Sequence, residues 1–260
     1  MQQVVVIGVG AMGTALIAAA KAKLPQLEIS VQDKAPEKVD EAISKLGVGK
    51  ADEAALAAAD LIVLAVKPQD VTKVLGELKP VLSNQQTLLS IAAGVTLTKL
   101  AAQTEATVVR CMPNTPAMVG RGFSTLSVLA NTEQIHLTRA TEFLTAAGQV
   151  LVIPESLQDS FTAIHGSGPA YVFLLIEAMI AAAVAEGIAE AEATAAVIQT
   201  VLGAAELIAQ TQESASTLRE RVTSPGGTTA AALAVFEQAG FQQIVADAVA
   251  AAKRRAAQLG

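Results

Sequence analysis

The residues best suited to chemistry lie in two glycine-rich loops far apart in the chain. Gly8-Val9-Gly10-Ala11-Met12-Gly13 follows a β-branched run, Gln3–Ile7, and opens an Ala-rich stretch, Ala11–Lys23. Strand, Gly-x-Gly-x-x-Gly loop and helix, in that order, form a dinucleotide-binding fingerprint. Gly8 permits the tight turn, Gly10 removes a Cβ that would block a pyrophosphate, and Gly13 lets helix pack on strand. The helix N-terminus then turns backbone N–H groups and a partial positive charge toward phosphate. Asp33 closes the next short run, Glu28–Val31. An acidic side chain about 20 residues beyond the loop accepts a hydrogen bond from a ribose 2′-hydroxyl and favours NADH. Lys34, its neighbour, is placed to neutralise a 2′-phosphate, so NAD(H) and NADP(H) both stay open.

The second loop is Val222-Thr-Ser-Pro-Gly-Gly-Thr-Thr229, running into Ala230-Ala-Ala-Leu233. Its hydroxyls, on Thr223, Ser224, Thr228 and Thr229, exceed what one helix cap needs. Together with the orphan N–H groups of the helix start they form an anion site suited to a carboxylate. Gly166-Ser-Gly-Pro-Ala-Tyr171 repeats the device with Pro169 near the first helical turn. His165 beside it reads as structural. Lys67, just past the run Leu61–Val66, lies on the edge where such sheets bind ligands; it pairs with a cofactor phosphate or shapes the loop. With one Cys and two His, no metal-ligating cluster is expected.

Apolar runs at Gln3–Ile7, Glu28–Val31, Leu61–Val66, Thr87–Ile91, Thr107–Met112 and Ser124–Leu129 alternate with helical stretches through the first 150 residues or so. That alternation predicts a doubly wound, mostly parallel α/β sheet of the Rossmann type. Beyond Pro154 long Ala/Leu/Ile/Glu stretches take over, at 169–187, 190–211, 228–238 and 241–258, with Ser156 as a cap and Gly187 and Gly240 as stops. Composition therefore divides the chain into a dinucleotide-binding domain, 1–154, and an all-helical dimerisation and substrate-binding domain, 155–260. The stretch 169–211 is apolar on nearly every face, which calls for a second copy of the chain to cover it.

Composition narrows the function further. The chain carries 18 Lys+Arg against 24 Asp+Glu, a net charge of −6, which gives no electrostatic footing for nucleic acid. Residues 1–150 hold 13 of each sign, so the whole imbalance, 5 against 11, falls in residues 151–260. The longest apolar run, Ala170–Ala185, is interrupted by Glu177, and no segment is expected to span a membrane. The single Cys111 excludes an internal disulfide and suits a reducing, cytoplasmic setting.

Several motifs together resemble the pyrroline-5-carboxylate reductase family: Gly166-Ser-Gly-Pro-Ala-Tyr171, Arg219-Glu-Arg-Val-Thr-Ser-Pro-Gly-Gly-Thr-Thr229, Ala65-Val-Lys-Pro-Gln69, Ser90-Ile-Ala-Ala-Gly94 and Arg110-Cys-Met-Pro-Asn-Thr-Pro116. The resemblance implies reduction of the cyclic imine 1-pyrroline-5-carboxylate to L-proline by NAD(P)H. It implies that Gly8–Met12 hold the pyrophosphate, that Ala65, Val66, Lys67 and Pro68 line the cofactor, and that Met112, Pro113 and Asn114 lie near the nicotinamide. It also implies substrate contacts at Val222, Ser224, Gly227, Thr228 and Thr229, with Thr229 closest to the imine nitrogen. Homodimers through the helical domain, often grouped into decamers, complete the expectation.

The chemistry separates this reading from its neighbours. Reduction of a carbonyl builds negative charge on oxygen and calls for an acid, as in the Lys-dependent β-hydroxyacid dehydrogenases. No Lys occurs between Lys99 and Lys253. A cyclic imine is basic enough to arrive protonated, so orientation suffices. Reduction of a related cyclic imine or of a β-hydroxyacid, and cofactor binding without chemistry, are the competing readings.

Overall fold

A computed structural model describes residues 1–258. Within the first compact unit, Met1–Ser167, eight strands form one sheet: β1 (Gln3–Ile7), β2 (Glu28–Gln32), β3 (Gly49–Lys50), β4 (Leu61–Leu64), β5 (Thr87–Ser90), β6 (Thr107–Met112), β7 (Gly122–Val128) and β8 (Gly148–Val152). Their order is β3-β2-β1-β4-β5-β6-β7-β8. The first six strands run parallel; β7 is antiparallel to β6, and β8 pairs in parallel with β7. The chain reverses direction across the sheet between β1 and β4, which is the switch point where doubly wound sheets bind ligands.

Strand pleating sorts the side chains of β1. Val4 and Val6 join one buried cluster with Leu16, Ile17 and Phe143. Val5 and Ile7 join the other with Leu64, Leu75 and Leu100. Side chains that alternate between two dry faces require apolar residues at every position, which is why β1 reads as an unbroken apolar run. The first face is covered by α1 (Ala11–Lys23), α2 (Pro36–Leu46) and α6 (Gln134–Thr145), and the second by α3 (Glu53–Ala58), α4 (Val71–Leu78) and α5 (Leu97–Ala101). Cys111 sits next to the end of β6 at 2% exposure, and burial drives its thiol pKa far above the usual thiol range.

The amino ends of the strands are stapled by Asp60. Its Oδ2 accepts from the N–H groups of Gln2 (2.6 Å) and Gln3 (3.2 Å), while its Oδ1 accepts from Arg139 (3.2 Å). Burial pushes its pKa up, but the two backbone N–H bonds, Arg139 and the chain's amino terminus outweigh that and hold it below the ordinary value. A depressed folded-state pKa means the stabilisation is complete above the unfolded carboxylate's pKa, about 3.9, and is lost as pH falls through the folded value. Asp60→Ala is expected to cost about 1–3 kcal/mol at neutral pH, with the difference from the parent vanishing in acid. Urea unfolding at a series of pH values from 7 downward into acid checks both statements.

The second compact unit, Gly168–Ala250, is helical among its described residues. After α7 (Gln158–Phe161) in the first unit come α8 (Gly168–Ala185), α9 (Glu190–Thr211), α10 (Ala215–Arg221), α11 (Thr228–Gln238) and α12 (Phe241–Gln258), whose end from Ala251 onward groups with the sheet unit. Gly187 (φ 91°) ends the turn after α8, and Gly240 (φ 69°) separates α11 from α12. In this single chain α8 buries no residue, and Phe173 and Leu174 stand 56% and 67% exposed.

Packing divides the chain after Ser167, whereas composition divides it after residue 154. Residues 155–167 are helical like the second unit, yet they are pinned to the sheet. Buried Gln158 accepts from Thr125 Oγ1 (2.8 Å) and donates to Ser127 Oγ (2.9 Å). Arg110 on β6 donates to Glu155 (2.9 Å) and Asp159 (3.3 Å). Ser156 does not cap: Pro154 precedes a 3-10 turn over Glu155–Leu157.

Candidate functional site

At the carboxyl edge of the sheet the loops after β1, β2 and β4 are tied to one another. The Gly8 N–H donates to Gln32 O (2.7 Å), the Ala65 N–H to Ile7 O (2.8 Å) and the Ile91 N–H to Leu64 O (3.1 Å). Gly8 has φ 100°, and a Cβ there would lie 2.5 Å from the Ala65 carbonyl oxygen. A Cβ on Gly13 would collide with the Gly8 carbonyl oxygen. These two glycines are required by the protein's own packing. Gly10 differs, because a Cβ built there meets nothing within 4 Å. The protein's own packing therefore leaves room for a side chain at Gly10.

Gly10 is also the N-cap of α1 and supplies no side-chain cap. The first-turn N–H groups of Ala11, Met12 and Gly13 are therefore left without a capping side chain beside an open groove of about 380 Å³, lined in part by Val9, Gly10, Ala11 and Thr14. An uncapped helix start, a loop stripped of Cβ atoms and a groove beside them fit a dinucleotide.

Asp33 anchors this cradle from β2. Its Oδ2 accepts from the Val9 N–H (2.8 Å) and its Oδ1 from the Ala35 N–H (3.0 Å). Lys34 points its ammonium to Asp70 Oδ2 at 3.2 Å. Val66 follows Ala65 past the end of β4; Lys67 is exposed, and Pro68 opens a short 3-10 turn through Asp70.

A second cluster lies beyond β6. Met112 ends the strand, Pro113 is buried, and Asn114 is 8% exposed. Asn114 spends both ends of its amide inside the protein: Oδ1 accepts from the Phe123 N–H (2.8 Å) and Nδ2 donates to His165 O (3.1 Å). His165 Nε2 lies 2.8 Å from Met112 O. A carbonyl only accepts, so this nitrogen carries the proton. The ring also meets Phe123 and Phe161 edge-on, at 5.3 and 6.2 Å. His165 thus braces the Met112–Asn114 turn, in line with a structural role. It is presented by a π-helical turn, Thr162–Gly166, and a Cβ on Gly166 would press on Met112 Cε at 3.0 Å.

The hydroxyl-rich loop belongs to the second unit. Gly227 is the N-cap of α11 and offers no side chain to it. The helix start is open, with Thr228 and Thr229 as its first two residues and Ser224 packed below Gly227. Gly226 takes φ 73° to make the turn. Thr223 is committed elsewhere: its hydroxyl donates to Arg219 O at 2.6 Å and closes the end of α10. Val222 is 65% exposed at the loop's entrance. Among the described residues no group of three or more His, Cys, Asp or Glu side chains is placed to hold a metal ion.

A doubly wound sheet with this fingerprint at its switch point, joined to a helical part, defines a nicotinamide-dependent oxidoreductase. Comparison with known proteins agrees and goes further. The family model described as pyrroline-5-carboxylate reductase dimerisation matches residues 155–259, and that described as NADP oxidoreductase coenzyme F420-dependent matches residues 3–94. Pyrroline-5-carboxylate reductase of Pseudomonas aeruginosa is 38% identical, covering 97% of this chain and 95% of its own. That of Haemophilus influenzae is 40% identical, covering 97% and 96%. The solved structure of the Coxiella burnetii reductase superposes with a TM-score of 0.92 at 34% identity, over 100% of this chain and 98% of its own. The Plasmodium falciparum enzyme with NADP bound gives 0.87 at 31%, over 100% and 98%. The chain belongs to the pyrroline-5-carboxylate reductase family.

Proposed function

We propose that the protein reduces 1-pyrroline-5-carboxylate to L-proline, with the glycine cradle of the first unit holding NAD(P)H and the loop 222–229 holding the substrate. The observation that carries the substrate half is the start of α11: an uncapped helix N-terminus ringed by Ser224, Thr228 and Thr229, with no lysine anywhere between Lys99 and Lys253. Neutral donors suit a carboxylate attached to a ring that is already cationic.

When bound, the reduced nicotinamide supplies a hydride. This chain's own groups need only place the acceptor. The amides and hydroxyls at the start of α11 fix the carboxylate, and Thr229 hydrogen-bonds the ring nitrogen, with Val222 and Gly227 shaping the pocket wall. A protonated imine gains no negative charge on accepting hydride, so no charged acid is required and orientation supplies the acceleration. In the cradle, Gly8–Met12 take the pyrophosphate, and Ala65, Val66, Lys67 and Pro68 border the cofactor. Met112 and Pro113 meet the nicotinamide end, in a turn that Asn114 and His165 hold in place.

Purified protein given pyrroline-5-carboxylate and either nicotinamide should consume the cofactor and form proline; no consumption with either one ends the proposal. Thr229→Val should lower kcat/KM about 10- to 100-fold, the scale of one hydrogen bond to a charged group. Thr229→Ser should restore most of it, and cofactor affinity should stay unchanged in both.

The helical part fits a homodimer. The stretches Glu155–Ala185 and Glu190–Thr211 are each long and apolar enough to cross a membrane by length and composition, although no span is expected from the sequence. The continuous helical stretch begins at Glu155, well before the apolar run Ala170–Ala185. Their apolar surface fits a second copy of the chain, in line with the dimerisation family that matches this region. Assembly of such dimers into a decamer and residence in the cytoplasm complete the proposal, with the buried, lone Cys111 suited to a reducing compartment.

A further inference from the structure

The outer rim of the cofactor cradle carries more carboxylates than cations between Asp33 and Glu41, and one of those cations, Lys34, is ion-paired. Asp33 is held at both oxygens, by the Val9 N–H on one side and the Ala35 N–H on the other. It cannot swing away without releasing the glycine loop. Each oxygen keeps a lone pair for a ribose hydroxyl. Lys34, the residue placed by sequence to offset it, is engaged by Asp70 at 3.2 Å. The next cation, Lys38, lines the groove together with Glu41, whose carboxylate is paired with Lys45 at 2.6 Å. From Asp33 to Glu41 the chain carries Asp33, Glu37, Asp40 and Glu41 against Lys34 and Lys38, four negative charges to two positive, with no arginine.

A 2′-phosphate brought to this rim meets a fixed carboxylate at short range and, in Lys34, an ammonium already paired with Asp70, whereas a 2′-hydroxyl finds an acceptor. We propose that Asp33, fixed by the Val9 and Ala35 N–H groups and with Lys34 paired to Asp70, makes this chain select NADH over NADPH. The proposal rests only on the dinucleotide site and not on the imine substrate, so it stands or falls separately from the reaction proposed above.

The test is equilibrium binding of the full chain to NADH and to NADPH without substrate, followed by nicotinamide fluorescence. NADH should bind at least about tenfold more tightly, the low end of what a like-charge contact costs. Asp33→Asn keeps an acceptor for the Val9 N–H, gives up the one for the Ala35 N–H and removes the charge; it should shrink the ratio about tenfold, mainly by strengthening NADPH. Asp70→Ala leaves the cradle untouched and releases Lys34, so it should strengthen NADPH severalfold with NADH unmoved. Equal or tighter NADPH binding by the parent overturns the proposal. So does an Asp33→Asn variant that weakens both cofactors by one factor, since that marks Asp33 as a loop clamp alone. If Asp33→Asn does not fold, the parent ratio and the Asp70→Ala response decide, and an unchanged NADPH affinity in Asp70→Ala counts against it.

Discussion

Gly8→Ala should cost the protein about 2–4 kcal/mol of stability and at least about a hundredfold in NAD(P)H affinity. The methyl group would lie 2.5 Å from the carbonyl oxygen of Ala65, and at φ 100° an alanine is strained before any contact is counted. Relief requires the β1 and β4 ends to part, which breaks the seat of the cofactor. Gly10→Ala supplies the contrast. Its φ of −75° suits any residue, and its methyl meets no protein atom within 4 Å. Stability should hold within about 0.5 kcal/mol while cofactor affinity drops. Thermal unfolding together with fluorescence titration separates the two variants. A Gly10→Ala protein that binds NAD(P)H like the parent would remove the ligand explanation for that glycine.

Gly227→Val addresses the other half of the site. Its Cβ would lie 2.5 Å from Ser224 Oγ, and its branches would project over the start of α11 where the substrate carboxylate is proposed to sit. The backbone itself tolerates a side chain, since φ is −78°. The loss of stability should therefore stay near 1 kcal/mol, the scale of a poor N-cap. Turnover should fall at least about a hundredfold through lost orientation, with cofactor affinity unchanged. Steady-state kinetics beside a cofactor titration makes the distinction; turnover within about threefold of the parent would place the substrate elsewhere.

Much of the fold and of the candidate site is legible in the sequence because it is local. The β1 loop, the helix it opens and the φ-positive glycines after α8 and α11 are each specified within a few residues, and helices α8, α9, α11 and α12 fall where the long Ala/Leu/Ile/Glu stretches place them. The rest depends on partners distant in sequence. Asp33 meets Val9 across 24 positions and Asn114 meets His165 across 51, and neither bond leaves a mark on local composition. β3 spans two residues and is too short for any alternation to register. β8 is an edge strand with Leu151 and Val152 largely exposed, so its apolar residues carry no inside–outside pattern. Residues 155–167 look helical and are helical. Their partners Arg110, Asn114, Thr125 and Ser127, on strands and turns distant in sequence and unreadable from that segment, show that it packs with the sheet. Thr223 reads in the sequence as one more anion ligand, but its hydroxyl closes the preceding helix instead.

Cys111 offers a way to watch the sheet from its interior. It is the chain's one thiol, sealed in β6 and held protonated by its surroundings. A thiol-reactive dye has no second target, and its labelling rate becomes a clock for the openings that expose the central strands. Saturating nicotinamide should slow that clock in proportion to one plus the ratio of free cofactor to its dissociation constant, provided only the closed form binds it.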